Sequence, residues 1–226
     1  MLLRFDTRGP KSWTGRLATL IDSRRDGNDA GRAGGANALL RVRLAGPFGR
    51  SAVNIDHFRD VLLVCGGIGV TPMIAQYSAL RARGATVWLV WVVRDRALVQ
   101  LILPEFGAAP GATSVVSPLP PHGERPPPMR ARAVVYFTGP VEAGVPSAPG
   151  PAAGAVQVQS GRPNLSDVLE SFLAAARGVS GGSAKAPVAV LACASGGLMS
   201  DLQRAVDAGN RCTGNEFCLH TETFEY

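Results

Sequence analysis

Two stretches of the chain carry residues whose types and spacing suit phosphate chemistry. The first is VLLVCGGIGVTPM, residues 61–73. Gly66, Gly67 and Gly69 strip the side chains from a tight turn, and Ile68 sits inside it. Thr71 and Pro72 follow as a helix-opening pair, since Thr can cap a helix and Pro suits its first position. Four apolar residues, 61–64, precede the turn as a short buried strand. Strand, glycine turn and helix start aim backbone N–H groups and a positive dipole end at a phosphate. Such a turn is also common without a ligand, so the pattern alone leaves both readings open. The second stretch is WLVWVVRD, residues 88–95, which ends a strand on Arg94. At the second strand end of a dinucleotide fold an acidic group suits a free 2′-OH and an arginine suits a 2′-phosphate. Arg94 comes first and favours NADPH over NADH, while Asp95 beside it pulls the other way. A charge at a strand end can also be simply solvated.

Two further strings lie where another strand gives way to a helix. SGRPNL, residues 160–165, holds Arg162 and Asn164. Asn164 fits an ordinary helix cap as well as a site. Arginines 94 and 162 converging on one phosphate would be a physical basis for selecting NADPH. LACASGGLMSDL, residues 191–202, places Cys193 at the end of an apolar run. A buried structural thiol is the competing reading there.

Composition narrows the classes. The chain has 226 residues, room for one large domain or a domain and a half. With 46% apolar and 18% charged residues it is globular rather than disordered. A formal charge of +6 favours anionic partners. The arginines are scattered without aromatic interleaving, which argues against nucleic acid. The four cysteines show no CxxC spacing, so reduced thiols are expected rather than a disulfide frame. Three unpaired histidines argue against a zinc site, and no metal is expected. No segment reaches the roughly 18 apolar residues of a membrane helix, and the N-terminus lacks a signal-peptide core.

The elements that position these strings are read as follows. Short strands at 2–5 and 39–45 flank a helix over 12–21, and GPFG at 46–49 is a turn. From residue 61 the chain alternates strand and helix. Strands fall at 61–65, 86–93, 133–137, 155–159, 187–193 and 216–220, and helices at 72–83, 97–106, 165–176 and 197–208. Alternation with continuously apolar strands predicts an α/β fold, a parallel sheet covered by helices on both faces. Its ligands bind at the carboxyl ends of the strands. Pro- and Gly-rich stretches at 107–128, 139–154 and 180–185 read as surface insertions.

Taken in order, GPFG, GGIGVTP, WxxR, GRPN, the Cys193 segment and the closing FCLHTETFEY resemble the C-terminal dehydrogenase region of the NADPH oxidase and ferric reductase family. That family belongs to the ferredoxin-reductase superfamily. The resemblance implies a Rossmann-like NADP-binding domain preceded by the end of an antiparallel FAD-binding β-barrel, with domains at 1–57 and 58–226. It implies NADPH and FAD as cofactors and hydride transfer from one to the other. Gly161, Arg162, Pro163 and Asn164 match the element whose arginine meets the anionic end of the nucleotide. Cys193 matches a cysteine near the nicotinamide, although Ala194 and Ser195 stand where Gly and Pro are usual. Tyr226 matches the terminal aromatic that covers the flavin, with Phe224 as the fallback. Arg4 and Thr14 match residues that face the flavin pyrophosphate.

Family members also carry a haem-bearing transmembrane domain and a full flavin barrel. The early barrel strands are missing here, so the resemblance implies a fragment of a longer enzyme. The fragment is expected to be soluble, and the whole enzyme to work at the cytosolic face of a membrane. Its electrons would pass through haem to oxygen or to ferric iron. A soluble flavin reductase without a haem partner is one alternative. A non-catalytic interaction domain that keeps the fold is the other.

Overall fold

The computed structural model describes residues 11–26, 54–106, 130–140, 156–179, 186–213 and 217–222. The chain separates into two compact units, residues 1–51 and 52–226. In the first, helix α1 spans Trp13–Asp26. Ser12 opens it: its Oγ accepts from the Gly15 N–H at 2.9 Å and its carbonyl from Arg16. The helix runs five residues past the expected end at Ile21, through a polar stretch that has no Gly or Pro to stop it. The strands expected at 2–5 and 39–45 and the turn at 46–49 lie outside the described residues.

The second unit is the expected Rossmann-like α/β structure. Its elements in chain order are β1 (Asp60–Gly66), α2 (Val70–Ala82), β2 (Thr86–Val93), α3 (Arg96–Ile102), β3 (Ala131–Phe137), β4 (Gln157–Ser160), α4 (Leu165–Val179), β5 (Val188–Cys193), α5 (Gly196–Thr213) and β6 (Phe217–Thr221). All six strands pair in parallel, in the order β4-β3-β2-β1-β5-β6. The chain builds outward from β1 to β4, then returns to the other side of β1 for β5 and β6. The strand order therefore reverses between β1 and β5, where this architecture places its ligand crevice.

Alternation within the strands explains the two-sided core. Val61, Leu63 and Cys65 of β1 point to one face, with Met73, Tyr77 and Leu80 of α2 and Leu98 and Ile102 of α3. Leu62 and Val64 point to the other, with Phe172 of α4 and Leu202 of α5. Every residue of β1 from Val61 to Cys65 is fully buried, which is why the strand reads as an unbroken apolar run. Each such side chain contributes roughly 1.5–3 kcal/mol on burial. Trp88 stacks edge-on against Phe172, with ring centroids 5.6 Å apart, and carries the Arg132 guanidinium 4.8 Å above its ring. Gln157 of β4 accepts from that guanidinium, so the buried cation is hydrogen-bonded rather than stranded.

The segment leading into β1 is tied down by one side chain. Ile55–His57 form a short 3-10 turn. Arg83, just beyond α2, donates to the carbonyls of Asp56 at 2.7 Å, Phe58 at 2.9 Å and Ile55 at 3.2 Å. It also pairs with the Asp56 carboxylate at 3.2 Å. Three carbonyls gathered by one guanidinium outweigh an exposed ion pair, which alone contributes about 0–1 kcal/mol. Arg83→Ala should therefore lower stability by about 1–3 kcal/mol, read as a lower urea midpoint at unchanged slope. Arg83→Lys, which lacks the planar fork, should recover less than half of the loss.

Candidate functional site

The turn after β1 begins as a single 3-10 turn, Gly67–Gly69, that runs directly into α2 at Val70. This corrects the expected helix start. Gly69 is the capping position, Thr71 the second helical residue and Pro72 the third. Thr71 does not cap any N–H. Its Oγ1 donates to the Ile68 carbonyl at 2.9 Å, closing the 3-10 turn from behind. The helix starts early because Gly69 is already in right-handed helical geometry, φ -59 and ψ -8, after Gly67 has turned the chain at φ +51. Pro72 is tolerated because first-turn N–H groups have no intrahelical partner.

Gly69 is required by packing. A Cβ there would overlap the Cys193 carbonyl oxygen and lie 2.9 Å from its Sγ. A Cβ on Gly66 would stand 3.1 Å from the Ala194 Cβ. The turn after β1 and the turn after β5 thus lie directly against each other across the reversal point. Trp91 of β2 adds a third tie: its Nε1–H donates to the Gly67 carbonyl at 2.8 Å. Ile68 is left exposed at the tip of the turn.

Neighbouring strand ends are linked in the same way. Thr138, after β3, donates its N–H to the Val93 carbonyl at 2.8 Å, beneath Arg94. Gly161, after β4, donates to the Phe137 carbonyl at 2.8 Å. Gly161 takes φ +94, a conformation open to glycine, in the turn that leads from β4 to Arg162 on the cleft. The result is one cleft of about 800 Å3, within the roughly 300–1,000 Å3 of small-molecule sites. Gly66 and Gly67 line its centre, Arg94 and Arg162 one side, and Ser195, Gly197 and Leu198 the other. Asp95 does not compete with Arg94 for a ligand. Its Oδ1 caps α3, accepting from Ala97 at 2.9 Å and Leu98 at 3.2 Å.

The structure thus brings Gly66, Gly67, Arg94, Gly161, Arg162 and Pro163 onto one cleft. Asn164 serves as the cap of α4: its Oδ1 accepts from the Ser166 N–H at 3.1 Å. It lines a smaller adjoining hollow of about 280 Å3 instead. Cys193 is not brought into the cleft. It is 4% exposed beneath Gly69, and burial, with the Glu222 carboxylate nearby, pushes its thiol up from the ordinary range. Cys65, its register partner on β1, is fully buried and raised further, by burial and then by Cys193. Arg4, Phe224 and Tyr226 lie outside the described residues, as does the side chain of Thr14.

Sequence reasoning missed Thr138, Gly139, Ser195 and Asp201, all on the cleft wall. Thr138 and Gly139 stand where an insertion was expected to begin. Gly139 carried a readable signal, a glycine directly after an apolar strand: a Cβ there would strike the Arg94 carbonyl.

The fold and the cleft define a Rossmann-like α/β domain with a basic crevice at the carboxyl ends of its strands. No protein-family model matches the chain. Among known proteins it is similar to the heavy chain of a superoxide-generating NADPH oxidase from Dictyostelium discoideum, 30% identical over 99 residues. The match covers 38% of this chain and 19% of that protein, so the chain spans less than a fifth of the relative's length. The likeness points to NADPH-oxidase-like oxidoreductases at the family level. No described helix is long and apolar enough to cross a membrane.

Two outcomes follow from the glycine contact and the thiols. Gly69→Ala should cost about 3 kcal/mol, the upper end of overpacking, because the obstructing atom is backbone. A urea midpoint within error of the parent would refute the contact. The raised thiols are neutral at pH 7, whereas unfolded cysteines lose their protons around pH 8.5. Above that pH the unfolded chain ionises first, so stability falls as pH rises toward the folded values. Urea unfolding at pH 7 and pH 9.5 should show the fall, and Cys65→Ala should flatten it.

Proposed function

We propose that the cleft binds NADPH, as the nucleotide-binding part of an oxidoreductase of the NADPH oxidase or ferric reductase kind. The observation that carries the reading is that Arg94 and Arg162 share one cleft with the glycine turn at the strand-order reversal. The pyrophosphate would lie on the turn formed by Gly66, Gly67, Ile68 and Gly69 and against the start of α2 at Thr71 and Pro72, with backbone N–H groups from all of these except Pro72, which has none. The 2′-phosphate would lie between Arg94 and Arg162, held by charge-assisted hydrogen bonds. Neither arginine is in an ion pair with an acidic residue among the described residues, so both guanidinium groups are available to a ligand phosphate.

The nicotinamide would then extend toward the β5 end, over Ser195. Cys193 would support that end from below, by shape, because a buried neutral thiol is neither base nor nucleophile at pH 7. FAD supplies hydride acceptance and single-electron release when bound. Arg4, Thr14, Phe224 and Tyr226 are the residues we assign to it by resemblance. The further route, through a haem-bearing membrane domain to oxygen or ferric iron, rests on the same resemblance. Oxygen is favoured by the name of the Dictyostelium relative.

Calorimetry with NADPH and NADH on the chain tests the reading. NADPH should bind more tightly. Arg162→Ala should weaken NADPH about tenfold or more, the equivalent of one charged hydrogen bond at about 1.5–3 kcal/mol, and leave NADH within about twofold. Equal loss for both nucleotides would remove Arg162 from the 2′-phosphate site. Failure of the parent chain to bind either nucleotide would overturn the proposal.

A further inference from the structure

One acidic side chain stands among the described residues of the basic cleft. Asp201, in the second turn of α5, lines the same cleft as Arg94, Arg162 and Gly67. It also lines the adjoining hollow, with Pro163, Asn164 and Ser166 at the start of α4. Asp201 therefore stands beside the Arg162 end of the cleft, where the main space opens into the smaller one. Its Oδ1 is held by Arg204, one turn along the same helix. The guanidinium is itself steadied by the Ser200 carbonyl. Oδ2 carries no hydrogen bond among the described residues.

A carboxylate in an anion cleft opposes phosphate binding. Like charges repel more strongly in a partly water-excluded cleft than in open water. The repulsion falls with distance and screening, and Arg204 offsets part of it. An acid at this place still needs a ligand group that gains from it. A carboxylate is an acceptor, so that group must be a neutral donor: a hydroxyl or an amine. The nucleotide of the proposed function carries both beside its 2′-phosphate, in the ribose 3′-hydroxyl and the adenine amine.

Resting on that reading, we propose that Asp201 is a specificity-determining residue that accepts from the neutral adenosine donors while Arg162 takes the phosphate. Arg204 orients it by holding Oδ1 and leaving Oδ2 to the ligand. The pair would distinguish a nucleotide from a bare polyphosphate. The phosphate groups alone meet the repulsion of Asp201, and only a ligand with a ribose or base recovers it. A purely electrostatic role would make every anion bind better once the charge is removed. The proposed role requires opposite signs for the two ligand types.

The test is calorimetry of the parent chain, Asp201→Ala and Asp201→Asn with NADPH, NADH and inorganic pyrophosphate. Asp201→Ala should weaken NADH about tenfold and NADPH by a smaller factor, because relief of the repulsion on the 2′-phosphate offsets part of the loss, and should tighten pyrophosphate. Asp201→Asn keeps an acceptor oxygen and loses the charge, so it should tighten pyrophosphate equally and lose less than threefold with the nucleotides. Circular dichroism melts should show that substitution of this half-exposed side chain leaves the fold intact. Nucleotide affinity unchanged or tightened in Asp201→Ala, with the parent binding normally, would overturn the Asp201 assignment alone. No nucleotide binding by the parent would overturn it together with the proposed function.

Discussion

Gly69 packs so tightly on the end of β5 that no side chain fits between it and the Cys193 carbonyl, and the shape of the cleft depends on that contact. β1 and β5 are neighbours whose connecting helices leave on opposite faces of the sheet. Without the contact their following turns would splay apart. With it, the turns after β1 and β5 form one surface, and Gly66 against Ala194 extends it. Gly66 and Gly67 after β1 and the residues at the start of α5 then line the same space. Ligand binding at a strand-order reversal is a property of this architecture. In this chain the reversal is closed tightly enough to serve as a floor.

The rim of the cleft depends on a chain of hydrogen bonds to backbone carbonyls running outward from that floor. Trp91 holds the Gly67 carbonyl, Thr138 holds the Val93 carbonyl, and Gly161 holds the Phe137 carbonyl. Each bond fixes the end of one strand to its neighbour or to the loop that follows it. The two arginines reach the same rim although 68 positions separate them in the chain. No direct contact between them is needed. Such preorganisation matters because charge-assisted hydrogen bonds lose much of their value when flexible side chains must first be ordered. The Asp95 carboxylate, which would otherwise neutralise the nearer arginine, is drawn onto the α3 N-terminus.

The sheet was legible because both its faces are covered. Apolar runs such as 61–65 and 188–193 admit few readings when a polar-to-apolar switch and a helix follow each one. The cleft was legible where a residue type is rare at its place, as with arginine after an apolar strand or glycine in a turn. It was not legible where a side chain has an ordinary local use. Thr71 and Pro72 look like a helix start, but Gly69 before them is already in helical geometry and the helix begins at Val70. Asn164 reads as both cap and ligand, and its oxygen is found on a backbone N–H. Asp201 carries no signal at all, because an acid on a helix surface is commonplace. Only the packing of α4 beside α5 turns it toward the cleft. Boundaries slipped for a related reason. α5 runs five residues past its expected end, where Asn210 hydrogen-bonds both the N–H and the carbonyl of Phe217, a tie between elements that is invisible to local pattern.

In the proposed site Cys193 would have a role of shape rather than of reaction. Its place at the end of β5 is the one that the family resemblance assigns beside the nicotinamide. Cys193 is buried, with the Glu222 carboxylate nearby, and both push its thiol toward the neutral form. Activated cysteines stand in exposed, electropositive settings that lower their pKa, the opposite of what is found here. Hydride transfer between two cofactors needs no protein nucleophile, only their alignment and the exclusion of water. A small, polarisable side chain beneath Gly69 serves alignment, since it fills the space under the turn without pushing it upward. A larger residue there would lift the glycine turn from β5, and with it the floor on which the pyrophosphate is proposed to rest. The constraint at this position is therefore one of volume, and it comes from the same contact that closes the reversal point.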